Sequence, residues 1–217
     1  MGQYHTKGLY NTYKKNNKER DALDYYATPP KEVTNILNVL NLDLSCSYIL
    51  EPCSGGGHMV KGILDYIKSK PHSREFWRVI ATDIKDRESI VDPLDYQNGG
   101  TWDFLADDYP YNEDIEYVIM NPPYATIEPF VIRGLEIAQK GLLLLGRLQF
   151  LEGQGRYEAI LKDNPPTDTY VYVDRIKCYK NGDFSNAESS AQAYAWFYWD
   201  KTKADKTPTL HWIRRAN

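Results

Sequence analysis

Asn121, Pro122, Pro123 and Tyr124 stand directly behind the apolar run Tyr117-Val118-Ile119-Met120. The run reads as a strand that must stop there, because neither proline can donate to a sheet ladder and each disfavours the helical region for the residue before it. That leaves a carboxamide, a stiff turn with open carbonyls and an aromatic ring at the carboxyl end of a buried strand. In open α/β sheets ligands bind at that edge. The chemistry such a set suits is methylation of an exocyclic amine, as on adenine, whose lone pair is delocalised into the ring. Two acceptors on the two amine hydrogens, the Asn121 side-chain oxygen and the Pro122 carbonyl, pull the nitrogen toward tetrahedral geometry. Tyr124 offers a stacking face beside Pro123, worth roughly 1–3 kcal/mol in single-stranded complexes. No general base is needed before attack. Taken alone, the tetrapeptide is also just a strand and a rigid Pro-Pro turn.

Other acidic and glycine-rich positions fall at comparable places. Tyr48-Ile49-Leu50 ends in Glu51-Pro52-Cys53-Ser54-Gly55-Gly56-Gly57, and Met59, Val60, Ile63, Leu64 and Ile67 follow at helical spacing. Strand, glycine turn and helix make the first βα unit of a nucleoside-binding sheet. Glycines let a ligand approach the backbone, and Glu51 offers an acceptor for an ammonium group. The spacing is not G-x-G-x-x-G and no Gly-Lys-Ser/Thr follows, so neither a dinucleotide nor a nucleoside triphosphate is favoured. Val79 to Asp83 reads as a second strand whose terminal carboxylate suits ribose hydroxyls or caps the next turn. Residues 86–101 read as a polar connection broken by Pro93 and Gly99-Gly100, and Trp102-Asp103-Phe104-Leu105 as another short strand end. There Asp103 suits an adenine amino group and Phe104 its ring.

The elements that must hold these residues are legible by period. Thr28 caps and Pro29 starts a helix carrying Val33, Ile36, Leu37 and Leu40. Ile127, Phe130, Val131, Leu135 and Ala138 mark another, with Thr126 as its cap. Gly141 to Leu145 is short and wholly apolar, as a central strand should be. A charged, glycine-punctuated loop with Arg147 and Arg156 leads into a helix ending near Lys162. Tyr170 to Val173 and Ala193 to Trp199 read as further strands, with the aromatic and basic stretch Arg175, Lys177, Tyr179, Lys180 and Phe184 between them. Alternating strands and helices predict an α/β, doubly wound, mostly parallel sheet with helices on both faces. The glycine loop, Asp83, Asp103 and Asn121 then share one sheet edge.

Composition bounds the rest. With 217 residues, 26% charged and 42% hydrophobic, the chain reads as a globular domain over residues 25–217 behind a basic irregular arm, residues 1–24. The arm carries Lys7, Lys14, Lys15, Lys18 and Arg20 among Tyr4, Tyr10 and Tyr13, a solvated tail or a phosphate contact. Net charge is −4, against binding nucleic acid through the global field alone. No membrane-length apolar run and no signal peptide are visible, so a cytoplasmic location is expected. Cys46, Cys53 and Cys178 are scattered, predicting free thiols and no metal site.

The ordered set Tyr26-x-Thr28-Pro29, Glu51 to Gly57, Asp83, Asp103-Phe104-Leu105 and Asn121-Pro122-Pro123-Tyr124 resembles the class I S-adenosylmethionine-dependent amino-methyltransferases of DNA, the adenine-N6 enzymes. Gly146 to Gly153 and Ala193 to Phe197 are similar to a compact phage and prophage group of them. The resemblance spans about residues 24–213. It implies a Rossmann-like sheet of seven strands with an antiparallel last one, here 193–199, and S-adenosylmethionine as cofactor. It implies Tyr26, Thr28 and Pro29 at the methionine end. Glu51, Pro52, Cys53, Ser54 and Gly55 would meet methionine and ribose, Asp83 with Ile84 the ribose, and Asp103 and Phe104 the adenine. DNA is the implied partner, with Asn121, Pro122 and Tyr124 catalytic. Pro123, Arg147 and Arg156 would lie on the substrate side, as would Tyr179 or Phe184 packing on an extruded base. No large target-recognition domain is visible. RNA amines, a protein glutamine amide and a non-catalytic subunit needing a partner remain open.

Overall fold

The computed structural model describes residues 25–71, 78–185 and 192–216; the basic arm falls outside them. In chain order the elements are β1 (Tyr26–Ala27), α1 (Pro30–Leu40), β2 (Tyr48–Glu51), α2 (His58–Lys68), β3 (Arg78–Asp83), β4 (Gln97–Thr101), β5 (Tyr117–Met120), α3 (Ile127–Ile137) and β6 (Gly141–Arg147). Then follow α4 (Gln154–Arg156), which continues as a π-helical turn (Tyr157–Leu161), β7 (Asp168–Tyr172), β8 (Tyr179–Lys180), β9 (Tyr194–Asp200) and β10 (Thr209–Ile213).

Eight strands form one sheet in the order β10-β7-β9-β6-β5-β2-β3-β4. Strands β4, β3, β2, β5 and β6 run parallel, β9 is antiparallel to both β6 and β7, and β10 is parallel to β7. The mostly parallel, doubly wound sheet is thus as expected, and 194–200 is its antiparallel strand. That strand is not the last, because β10 follows it and adds an eighth. Successive side chains serve opposite faces. Leu143, Leu145, Trp196 and Tyr198 pack under α1 and α2, while Leu142, Leu144, Phe197 and Trp199 pack under α3. Such two-sided cover is why β5 and β6 read as unbroken apolar runs.

Two boundaries differ from the sequence reading. The fourth strand is the polar Gln97–Thr101, and Trp102 to Leu105 is the turn behind it. An edge strand needs only one ladder, so it carries no apolar signature; the Trp102 indole instead donates to the Gly99 carbonyl at 3.0 Å. Helix α1 begins one residue late: Pro29 is its cap and Pro30 its first residue. The Thr28 hydroxyl is thereby released from capping.

Between β2 and its neighbours β3 and β5 the connections leave in opposite directions, opening a crevice at the strands' carboxyl ends. Over it lies a strap, residues 25–29, whose β1 pairs antiparallel with β8 (Tyr26 with Lys180, Ala27 with Tyr179). The Asn181 amide donates to the Tyr25 carbonyl at 2.8 Å and extends this clamp.

Candidate active site

Three strand ends meet at the crevice. The Glu51 carboxylate, 1% exposed, accepts from the Cys53 amide (3.1 Å) and the Cys53 thiol (3.3 Å). The Asn121 main-chain amide in turn donates toward that sulfur. One strand further, the Gly55 amide donates to Asp83 Oδ2 at 2.8 Å and the Ser54 amide to the Thr82 carbonyl at 2.9 Å. Gly55 and Gly57 hold positive φ angles of 54° and 80°, which a side chain would strain. So Glu51, Cys53, Ser54, Gly55, Asp83 and Asn121 share one edge.

The Asn121 side chain is held on three sides. Its Nδ2 donates to the Tyr26 carbonyl (3.1 Å) and to Thr28 Oγ1 (3.0 Å), and its Oδ1 accepts from the Tyr124 hydroxyl (3.0 Å). The Tyr26 carbonyl can only accept, so it decides which way the amide faces; a flipped carboxamide would set oxygen against oxygen. Both donors are then used and one of two Oδ1 lone pairs is filled. One acceptor position is left. In the turn, the Pro123 carbonyl accepts from the Thr126 amide (3.0 Å) and hydroxyl (3.3 Å), while no described residue donates to the Pro122 carbonyl. Pro122 is buried and Pro123 exposed.

On the glycine-loop side, burial pushes the Glu51 carboxyl up to about 8, an acid buried with hydrogen-bond donors but no described cation at ion-pair distance. Burial likewise pushes the Cys53 thiol well up, so it is an inert neighbour and not a nucleophile. Asp83 Oδ1 accepts from the Lys85 amide (3.0 Å), and Arg87 Nε lies 3.9 Å away. Ile84, 61% exposed, leaves an apolar surface beside Asp83. Asp103 Oδ1 accepts from the Leu105 amide at 3.0 Å, closing its turn.

Several of the expected residues already have partners within the fold. Phe104 is 2% exposed and packs against Tyr109 (5.2 Å) and Phe130 (5.3 Å), so its ring belongs to the core. Arg156 donates to Glu128 (3.1 Å) and to the carbonyls of Gln149 (2.9 Å), Phe150 (3.1 Å) and Glu152 (2.7 Å), fastening its own loop. Tyr179 and Phe184 stack on each other at 4.4 Å, and Phe184 lies 5.1 Å from the His58 ring at the start of α2. Tyr124 presents its ring to the Arg147 guanidinium at 4.7 Å and to Tyr194 at 6.0 Å. Burial raises its phenol, which stays a donor toward Asn121. Tyr25 was not anticipated: its ring lies against the Cα of Gly55, its hydroxyl accepts from the Gly56 amide, and Arg87 covers it at 4.8 Å. Its only sequence signal was adjacency to Tyr26. Among the described residues no group of His, Cys, Asp and Glu could hold a metal ion, and no helix is long and apolar enough to cross a membrane.

No family model matches the sequence, and neither does any curated protein. Solved structures do match. One, from Listeria monocytogenes and assigned to the class I S-adenosylmethionine-dependent methyltransferases, superposes with TM-score 0.63 at 13% identity, covering 98% of this chain and 72% of that one. This chain has the class I methyltransferase fold. A methyltransferase subunit of a type I restriction-modification system from Streptococcus thermophilus gives TM-score 0.61 at 13% identity over 89% of this chain. The chain spans about half that subunit's length, 48%. A Pyrococcus horikoshii protein assigned as an RNA methyltransferase gives 0.57 at 17% identity and is covered over 99% of its length. In this methyltransferase fold, the crevice beside β2 is the place where Glu51, Gly55, Asp83 and Asn121 converge.

Proposed function

We propose that the chain methylates the exocyclic N6 amine of adenine in DNA, using S-adenosylmethionine. The observation that carries this is the one acceptor position on Asn121 Oδ1 that no described residue fills, fixed in direction by the strap and set beside the Pro122 carbonyl, to which no described residue donates. Two acceptors at a rigid corner suit an NH2 group and nothing that lacks N–H donors. The fold and the restriction-modification subunit it resembles support the choice of DNA.

The residues present suit the cofactor. Glu51 is a buried acid without a described cationic partner, as an ammonium group requires. Gly55, Gly56 and Gly57 carry no side chain, so Tyr25 and Ser89 pack directly on their backbone and frame the loop, and Asp83 with Ile84 offers a carboxylate next to an apolar surface. When bound, the cofactor supplies an electrophilic methyl group on a sulfonium. Asn121 and Pro122 orient the amine and sharpen its lone pair, and the proton lost from nitrogen afterwards passes to solvent. Such positioning is where most of the acceleration would arise. Extruding the base costs a few kcal/mol, repaid by these contacts.

Thr28 serves this site through Asn121, being 3% exposed with its hydroxyl on the carboxamide. Thr28→Val keeps the shape and removes the acceptor, so kcat is expected to fall roughly tenfold with donor affinity unchanged, while Thr28→Ser stays near wild type. Calorimetry and steady-state rates separate this from a role in holding the donor, which would raise its Kd instead.

An amine in RNA is the second reading, favoured by the match to nearly the whole Pyrococcus protein. The deciding experiment offers the purified chain a labelled methyl donor with unmethylated DNA, RNA and glutamine-containing protein, and locates the label by mass spectrometry. Label on adenine N6 in DNA is expected. Label confined to RNA or to a side-chain amide overturns the assignment.

A further inference from the structure

Arg147 ends β6, which continues beyond the register of β5: Met120 pairs with Leu144, and Arg147 pairs with Tyr194 of β9. Its guanidinium therefore stands over the Asn121–Tyr124 turn, 4.7 Å from the centroid of the Tyr124 ring. The Nε atom is buried and without a hydrogen-bond partner, and no described carboxylate or carbonyl engages the terminal nitrogens. The contrast lies in the same loop. Arg156 has Glu128 and three carbonyls for its N–H groups, whereas among the described residues Arg147 has an aromatic face alone.

A ring face attracts a cation but fills none of its five N–H donors. Leaving such donors half-buried and unmet is costly, and the cost is relieved by an anion arriving at the mouth of the site. A planar fork matches two phosphate oxygens better than it matches any single acceptor. The base amine addressed by Asn121 carries no negative charge. The nearest anion on a nucleic acid strand is the phosphodiester next to the nucleotide whose base occupies the site.

We infer that Arg147 binds a phosphodiester flanking the target nucleotide, held in place by the Tyr124 ring. This rests on the nucleic-acid reading above. It makes Tyr124 a double support: its hydroxyl orients the Asn121 carboxamide and its face seats the guanidinium. A contact to phosphate carries no base information, so it strengthens every target alike and acts on KM more than on kcat.

The experiment compares wild type, Arg147→Met and Arg147→Lys with an adenine-containing duplex across a potassium chloride series. Donor calorimetry on each variant confirms that the fold is intact. For Arg147→Met we expect affinity to fall roughly tenfold, KM to rise with kcat little changed, and the salt slope of log K to shrink by about 0.9, one phosphate's share. Arg147→Lys should keep the slope at lower affinity, since it retains the charge and loses the fork. An unchanged slope in Arg147→Met, or a loss of donor affinity in its place, overturns the inference while leaving the methyl-transfer reading standing. A wild-type chain that neither binds nor modifies any nucleic acid removes both.

Discussion

Asn121→Ala is expected to bind the methyl donor within a few-fold of wild type and to transfer methyl groups at least roughly 10²–10³ times more slowly, the effect of deleting one preorganised polar group at a reacting centre. Three contacts vanish with the carboxamide: the two that tie it to Tyr26 and Thr28 and the one from Tyr124. The lost acceptor is the one the amine needs. Asn121→Asp sharpens the test. It keeps the acceptor oxygen but loses both donors, and would set a second carboxylate oxygen about where Nδ2 now lies 3.1 Å from the Tyr26 carbonyl. Repulsion there should turn the group away, so this variant is expected to be as slow as the alanine one despite its acceptors. Rates at saturating DNA, with donor Kd measured in parallel, give the answer. Turnover surviving in Asn121→Ala would falsify the role of this side chain, whatever the chain's substrate.

Much of this site was legible because its residues sit where strands end, and strand ends are marked by a change of chemistry. Glu51, Asp83 and Asn121 each close an apolar run, and the structure sets all three on one edge. What escaped was written in no local pattern. Strand β4 is polar because an edge faces water, and so it resembled a loop. Strand β10 leaves Leu210 and Trp212 exposed, at 48% and 71%, and turns His211 and Ile213 inward, so its apolar alternation pointed to the wrong face. Phe104 looked like an adenine contact by its neighbour Asp103, yet packing against Tyr109 and Phe130 took the ring inside. Contacts between distant segments are equally invisible in one dimension. Thr28 reads as a helix cap and Tyr26 as a cofactor residue; that their oxygens hold Asn121 depends on how the strap crosses the sheet. Arg147 and Arg156 look alike in sequence, and only their surroundings tell the fastening arginine from the one left open.

Glu51→Gln should make the chain more stable and a poorer binder of its methyl donor. Burial raises the Glu51 carboxyl from its ordinary 4.5 to about 8. The folded acid thus keeps a proton at neutral pH that the unfolded chain has released. Stability from this group is whole below about pH 4.5 and is lost, at about 1.4 kcal/mol per pH unit, as pH rises toward 8. At pH 7 the accumulated cost is about 3 kcal/mol, roughly 6–12 °C in Tm for a domain of this size. Glutamine has no such proton to lose, and its side-chain oxygen can still accept from the Cys53 amide and thiol. Melting curves of the donor-free proteins should therefore coincide near pH 4.5 and separate as pH rises, with the variant higher. Binding should move the other way. An ammonium beside Glu51 needs the ionised carboxylate, so wild-type affinity for the donor strengthens toward pH 8, while the variant binds at least about tenfold more weakly and without that slope. A buried acid that destabilises its own fold is understandable if a cation completes it. Equal melting temperatures across this range, or equal donor affinities, would show that Glu51 is merely a buried, hydrogen-bonded side chain.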